Sequence, residues 1–192
     1  MSIYLIRHGQ TAGNAARRLQ TPDVPLDEAG LEQASRLGAR LRDAGIVQVV
    51  SSDYTRAYQT AEAVVRETGA PHDTDPLLRE RNFGELRGRH YDEVGPDLFS
   101  EGFEPPGGES WPDFFERAAR AWEAIVARTV ATESEGHLAI VTHGMLYRVL
   151  FSRHIFVESG EDAPAPGNTA LSVIEPSPPH AVSLLACTAH LD

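Results

Sequence analysis

Two histidines in this chain each close a short apolar run and each precede a glycine: His8 in Ile6-Arg7-His8-Gly9 and His143 in Val141-Thr142-His143-Gly144. A neutral imidazole nitrogen is a nucleophile at neutral pH without a metal, provided the other ring nitrogen gives its proton to a fixed acceptor. Arg7 stands beside the first histidine, and Arg56 falls in the first turn of what reads as a helix after a second apolar run. A guanidinium fork holds two phosphoryl oxygens at once, and two forks can neutralise the charge that spreads over a phosphoryl group in flight. The set points to phosphoryl transfer, with His8 as attacking group, Arg7 and Arg56 as clamps, and His143 as a hydrogen-bond donor to the moving phosphoryl. The leaving alcohol then needs a proton. Glu80, in Leu78-Arg79-Glu80-Arg81-Asn82-Phe83-Gly84, is the candidate general acid where burial or nearby anions keep it protonated.

The rest of the composition removes other chemistries. All 17 basic residues are arginines, so no lysine is present for a Schiff base or a phosphate-loop ammonium. A formal charge of −11 opposes nucleic acid as a partner, and the basic residues form no run that would offset it. The single cysteine, Cys187, permits neither an internal disulfide nor a Cys-x-x-Cys metal site. No carboxylate or third imidazole stands at ligand spacing near His8 or His143, so no metal is expected. The first residues lack the basic start and cleavage site of a signal peptide, and no apolar run approaches the roughly 18 residues of a membrane helix. The expectation is a cytoplasmic protein acting on a small phosphorylated substrate, without cofactor, membrane or nucleic acid. Nothing in the sequence bears on its oligomeric state.

The elements that must carry these residues alternate strand and helix. Residues 2–6 read as a strand, and Asp27 caps a helix with Leu31, Ala34, Leu37 and Leu41 on one face, stopped at Gly45. Residues 46–51 read as a second strand, followed by a helix marked by Tyr54, Ala57, Tyr58, Ala61, Val64 and Val65 that ends at Gly69. From Leu77 to Gly108 there is little periodicity beyond a short helix near Tyr91–Phe99. Ser110 and Asp113 then open a long amphipathic helix carrying Trp111, Phe114, Trp122 and Ile125. A strand at 137–142, a helix at 145–153, a surface loop at 161–167 and strands near 169–174 and 181–187 complete the reading. Ligands of open α/β sheets lie outside the carboxyl ends of the strands, and Arg7-His8, Arg56 and His143 all fall on that edge.

At this point the chain resembles the histidine phosphatase superfamily, the phosphoglycerate-mutase-like proteins. The likeness rests on Arg7-His8-Gly9-Gln10-Thr11-x-x-Asn14, Ser51-Ser52-Asp53-Tyr54-Thr55-Arg56-Ala57, Leu78-Arg79-Glu80-Arg81-Asn82-Phe83-Gly84, Gly107-Gly108-Glu109-Ser110 and Thr142-His143-Gly144, five blocks in the family's order across nearly the whole chain. The resemblance implies a three-layer α/β/α sandwich around a mixed, mainly parallel sheet and a phosphohistidine on His8. It also implies a pocket of Arg7, Asn14, Arg56 and His143, with Glu80 as proton donor and no metal. Gly9, Gln10, Thr11, Gln20 and Gly144 are carried over as substrate-binding neighbours. In one place the chain departs from the pattern. Many phosphatase members read Arg-Leu-Gln-Gly-Trp before the first long helix, whereas here Arg18-Leu19-Gln20 runs into Thr21-Pro22.

Family mutases cover the site with an extended segment between the donor glutamate and the second histidine. Here those two residues, Glu80 and His143, are 63 positions apart. A shorter cover admits water to the phosphohistidine, so hydrolysis is expected over mutase-type transfer, the alternative suggested by the Leu-Arg-Glu-Arg-Asn-Phe-Gly wording. A third reading is a phospholigand-binding module without turnover, which the presence of nucleophile, clamps and acid opposes. The chain is read as a single domain over 1–192, with residues 87–108 as the cover. In that segment Arg87, Arg89 and His90 could meet a second substrate anion, or could equally be solvated surface. Glu109-Ser110 reads as a helix cap, and the remaining histidines as structural or exposed.

Overall fold

The computed structural model describes residues 1–131, 136–157 and 165–192. Its strands are β1 (Ile3–Arg7), β2 (Ile46–Ser51), β3 (His72–Thr74), β4 (His137–Thr142), β5 (Leu171–Ile174) and β6 (Val182–Cys187). Its helices are α1 (Ala12–Ala15), α2 (Glu28–Leu41), α3 (Thr55–Thr68), α4 (Tyr91–Val94), α5 (Trp111–Ala131) and α6 (Gly144–Arg153). The strands form one sheet in the order β3-β2-β4-β1-β5-β6. β3, β2, β4 and β1 pair in parallel, and β5 runs against both β1 and β6.

Period-2 alternation along the central strands divides the core between two faces. Ile3, Leu5, Leu138 and Ile140 pack with Phe114, Trp122, Tyr147 and Leu150 of α5 and α6. Ile6, Val49, Ala139 and Val141 pack with Leu37, Leu41, Ala61 and Val64 of α2 and α3. Helices on both faces of a mainly parallel sheet make the three-layer sandwich that the family resemblance implies, and the strand-helix rhythm gives its α/β class.

Local signals place the ends of the helices. The Asp27 carboxylate accepts the Gly30 N–H at 2.8 Å at the start of α2, and Gly69, with φ of 70°, stops α3. Ser110 accepts the Asp113 N–H at 3.2 Å, which makes it the cap of α5 and bears out the plain reading of Glu109-Ser110. Leu31 and Tyr58 leave the expected apolar faces, at 53% and 43% exposure, because each lies to the side of its helix's buried stripe. The edge strand β3 was not expected. His72-Asp73-Thr74 is polar and only three residues long, and it is strand because it pairs with Val49–Ser51.

The segment over the sheet edge has its own small core, in which Leu19, Phe83 and Leu98 are buried with Tyr91, Val94, Phe103 and Met145 packed against them. Of the expected 161–167 loop, residues 161–164 lie outside the described residues. Among the described residues no helix is long and apolar enough to cross a membrane.

Candidate active site

β1 and β4 are central neighbours in the sheet, and Arg7 is the register partner of Thr142. The next residues are His8 and His143, so the two imidazoles leave adjacent strands at the same level, their ring centroids 5.1 Å apart. This is where the connections leave the sheet in opposite directions, toward β2 after β1 and toward β5 after β4, which opens a crevice at the strand ends.

The His8 ring is fixed by its neighbour: Nδ1 lies 2.7 Å from the carbonyl oxygen of Gly9. A carbonyl only accepts, so Nδ1 carries the proton and Nε2 keeps its lone pair. The Arg56 Nε–H, from the first turn of α3, donates to that Nε2 at 3.3 Å, while its Nη1 donates to the carbonyl of Thr21 at 3.0 Å. The departure at Thr21-Pro22 thus still braces the arginine. Burial, then the charges of Arg56 and Arg7, hold the His8 imidazole well below its ordinary pKa, with the Gly9 bond opposing. Burial also pulls Arg56 down to about 10, with Arg7 and Arg87 acting in the same direction and Glu80 against.

His143 is oriented from the other side. Its Nε2 is 2.8 Å from the Ser52 hydroxyl, whose oxygen accepts the Tyr54 N–H at 3.2 Å. Among the described residues Nε2 is the one acceptor set against that hydroxyl's proton, so the hydroxyl donates to it and the proton of the neutral imidazole sits on Nδ1. That nitrogen is buried without a partner, as is Nε of Arg7, whose Nη1 donates to Pro166 O at 2.6 Å. Buried donors are costly to leave unpaired, and these two are of the type that an oxyanion satisfies. Burial, with Arg56, His8 and Arg7, keeps His143 neutral, well below its ordinary pKa.

The carboxylate of Glu80 accepts the Met145 N–H at 3.2 Å to each oxygen and the Arg81 N–H at 3.1 Å, which ties it to the start of α6. Gly144, the first residue of α6, lies against Arg7: a Cβ there would stand 3.4 Å from the arginine Nε, an ordinary contact distance.

Other expected residues divide between wall and support. Asn14 and Gln20 line the cavity. Thr11 stands behind them, receiving the Asn14 N–H at 3.0 Å and placing its hydroxyl 2.8 Å from Gln20 Oε1. Gly9 and Gln10 face α2 instead. A Cβ on Gly9 would meet Gly30 O at 2.7 Å, and Gln10 bonds Gln33 through its N–H and Asp27 through its side chain. In the cover, Arg87 lines the cavity and donates to the Tyr54 hydroxyl at 3.1 Å. Arg89 and His90 do not line it, and His90 caps α4. Glu109 is held by two nitrogens of Arg117, at 2.7 and 2.9 Å.

Ser52 and Tyr54 stand in one of the quoted blocks without a role at the site being assigned to them, and Asn168 stands in none. Asn168 donates to His8 O at 3.1 Å and stands 3.4 Å from Asn14 Oδ1, joining the His8 backbone to the pocket. Ser52 was open to detection as a hydroxyl one residue beyond β2 on the ligand edge. Asn168 sits in a turn between Gly167 and Thr169, and no pattern distinguishes it from an ordinary turn residue.

The cavity measures about 180 Å³. Arg7, Arg18, Arg56, Arg81, Arg87 and Arg148 line it, and Glu80 is its one carboxylate among the described residues. Within a chain of net charge −11 this is a concentrated cationic seat. No three His, Cys, Asp or Glu side chains among the described residues gather as metal ligands.

Paired imidazoles and arginines at the carboxyl edge of a parallel sheet define a protein built to hold a tetrahedral oxyanion against a nucleophilic nitrogen. Comparison with known proteins gives the family: the chain belongs to the histidine phosphatase superfamily (branch 1), whose sequence model matches residues 3–187. It is 35% identical over 162 residues to a probable phosphoglycerate mutase, GpmB, of Yersinia pestis, covering 79% of this chain and 74% of that one. Among solved structures, Bacillus stearothermophilus YhfR superposes with a TM-score of 0.85 at 29% identity, over 100% of this chain and 99% of that one. A mycobacterial glucosyl-3-phosphoglycerate phosphatase in complex with VO3 superposes with a TM-score of 0.74 at 28% identity, over 91% and 90%.

Proposed function

We propose that the protein is a metal-independent phosphatase that hydrolyses phosphomonoesters through a phosphohistidine on His8. The observation that carries this reading is the Nδ1–Gly9 O bond, which leaves Nε2 of a buried, neutral imidazole as the attacking lone pair beside Arg56. Nε2 attacks phosphorus in line, the P–O ester bond breaks, and Glu80 hands its proton to the leaving oxygen. Arg7, Arg56 and the Nδ1–H of His143 receive the equatorial oxygens. Water then attacks the phosphohistidine and gives its proton to the Glu80 carboxylate, and the P–N bond breaks to release inorganic phosphate. Hydrolysis over transfer is supported by the short Glu80–His143 interval and by the exposure of Arg18 and Phe99 on the cavity wall, which leaves the cavity open to water. In this reading residues 87–108 are the cover that selects the substrate.

A second reading, phosphoglycerate-mutase-type transfer, is favoured by the name of the Yersinia relative. One experiment separates the two. Rapid quenching after mixing with a labelled phosphomonoester gives an acid-labile phosphoprotein that is absent in His8→Ala, and inorganic phosphate is released with chelator present. Label on His8→Ala refutes the nucleophile. Interconversion of phosphoglycerates faster than phosphate release refutes hydrolysis.

A further inference from the structure

The cavity above His8 does not stand alone. A second hollow of about 240 Å³ adjoins it, and Phe99, Met145 and Arg148 line both. At about 180 Å³ the first is below the roughly 300 Å³ at which pockets for drug-sized ligands begin. A leaving group of more than a few atoms extends beyond it, and the adjoining hollow lies across the shared wall. Beyond that wall stand Trp111 and Phe115, their rings 5.2 Å apart.

The arginines of the first cavity are not equivalent. Arg7 and Arg56 flank the nucleophile. Arg81 is committed, with Nε on Glu109 O at 3.1 Å, Nη2 on Phe103 O at 2.7 Å, its guanidinium 4.3 Å from the Trp111 ring, and Nη1 buried away from solvent. Arg18 donates to Gly88 O at 3.0 Å, and Arg87 to the Tyr54 phenol. Arg148, exposed on α6, has no hydrogen bond or ion pair among the described residues, although it stands on the wall common to both hollows. Glu101, the carboxylate of the second hollow, is within 3.8 Å of Arg153, whose guanidinium lies over Phe115. Among the described residues no carboxylate is set against Arg148.

We propose that the natural substrate is an elongated phosphomonoester whose leaving alcohol crosses Phe99 and Met145 with an apolar or aromatic stretch and carries a second anionic group bound by Arg148. The inference rests on the phosphatase reading and adds the substrate class to it. The apolar stretch gains from burial on both side chains, and the far anion takes the fork that Arg148 holds out.

The test uses synthetic phosphomonoesters that share one aryl-alkyl linker and end in a carboxylate, a phosphonate or a neutral amide. The expected result is a kcat/KM for an anionic end at least about tenfold above the amide, carried by KM, with the favoured anion identifying the second group as carboxylate or phosphonate. In Arg148→Gln that preference falls to within about twofold, Arg148→Lys retains part of it, and Arg87→Gln keeps it. Equal turnover of all three esters by the wild-type protein overturns the inference and leaves the phosphatase reading standing. So does a preference that survives Arg148→Gln, or one lost in Arg87→Gln instead. No hydrolysis of any ester and no phosphoprotein overturns both.

Discussion

Arg56 donates its Nε–H to Nε2 of His8, the lone pair that attacks phosphorus in the proposed reaction. The arginine thereby favours the tautomer with its lone pair on Nε2, and in the proposed reaction the phosphoryl group takes the place of that hydrogen bond. The guanidinium then turns its charge to the phosphoryl oxygens. Replacing Arg56 by alanine removes both roles. The expected loss is about 10²- to 10³-fold in kcat/KM, measured by steady-state kinetics, and lysine restores little of it because one ammonium cannot reproduce the fork.

Glu80 lines the cavity and is held to α6 by the Met145 N–H. If it protonates the leaving oxygen, Glu80→Gln matters only where the leaving group needs the proton. Turnover of an alkyl phosphate should fall by roughly 10²- to 10⁴-fold, whereas an activated nitrophenyl ester should lose far less. Equal losses on both esters would assign Glu80 to binding instead.

Ser52→Ala takes away the hydroxyl that fixes His143 and leaves a buried imidazole nitrogen unpaired. Chemical denaturation should show a loss of about 1–3 kcal/mol. The imidazole is then free to move its proton to Nε2, so kcat should fall by about tenfold with KM little changed.

His8 and His143 both fold with pKa values well below the ordinary imidazole value, chiefly through burial. Between that depressed range and about 6.5 the unfolded chain binds protons that the native chain does not. Stability is therefore held at and above neutral pH and is lost as pH falls below about 6.5, each imidazole adding a slope that approaches about 1.4 kcal/mol per pH unit. Urea midpoints measured from pH 7.5 to 5 test this. In His8→Asn, where one of the two groups is gone, the same series should decline less steeply.

Much of this site could be read before any coordinates because its chemistry sits at strand ends that punctuation makes visible. The apolar runs before Arg7-His8 and His143-Gly144, and the glycines that follow, place both imidazoles on one sheet edge. Residues that only hold others in place are harder to find. Ser52 and Asn168 look like any loop hydroxyl and any turn amide, and their importance depends on which strands become neighbours. Gln10 shows the converse, since it lies in the most informative block and yet faces α2, where Gln33 and Asp27 take its hydrogen bonds. The strand β3 was illegible because its pairing partner, not its composition, makes it a strand.

Because Arg7 and Thr142 share one rung of the sheet, the gap between the two reactive rings is set by the distance between hydrogen-bonded strands, about 4.8 Å. Loop length does not enter into it. Insertions or deletions among residues 87–108 can reshape what the enzyme accepts without altering the spacing of its imidazoles, so selectivity and reactivity can diversify independently along this chain.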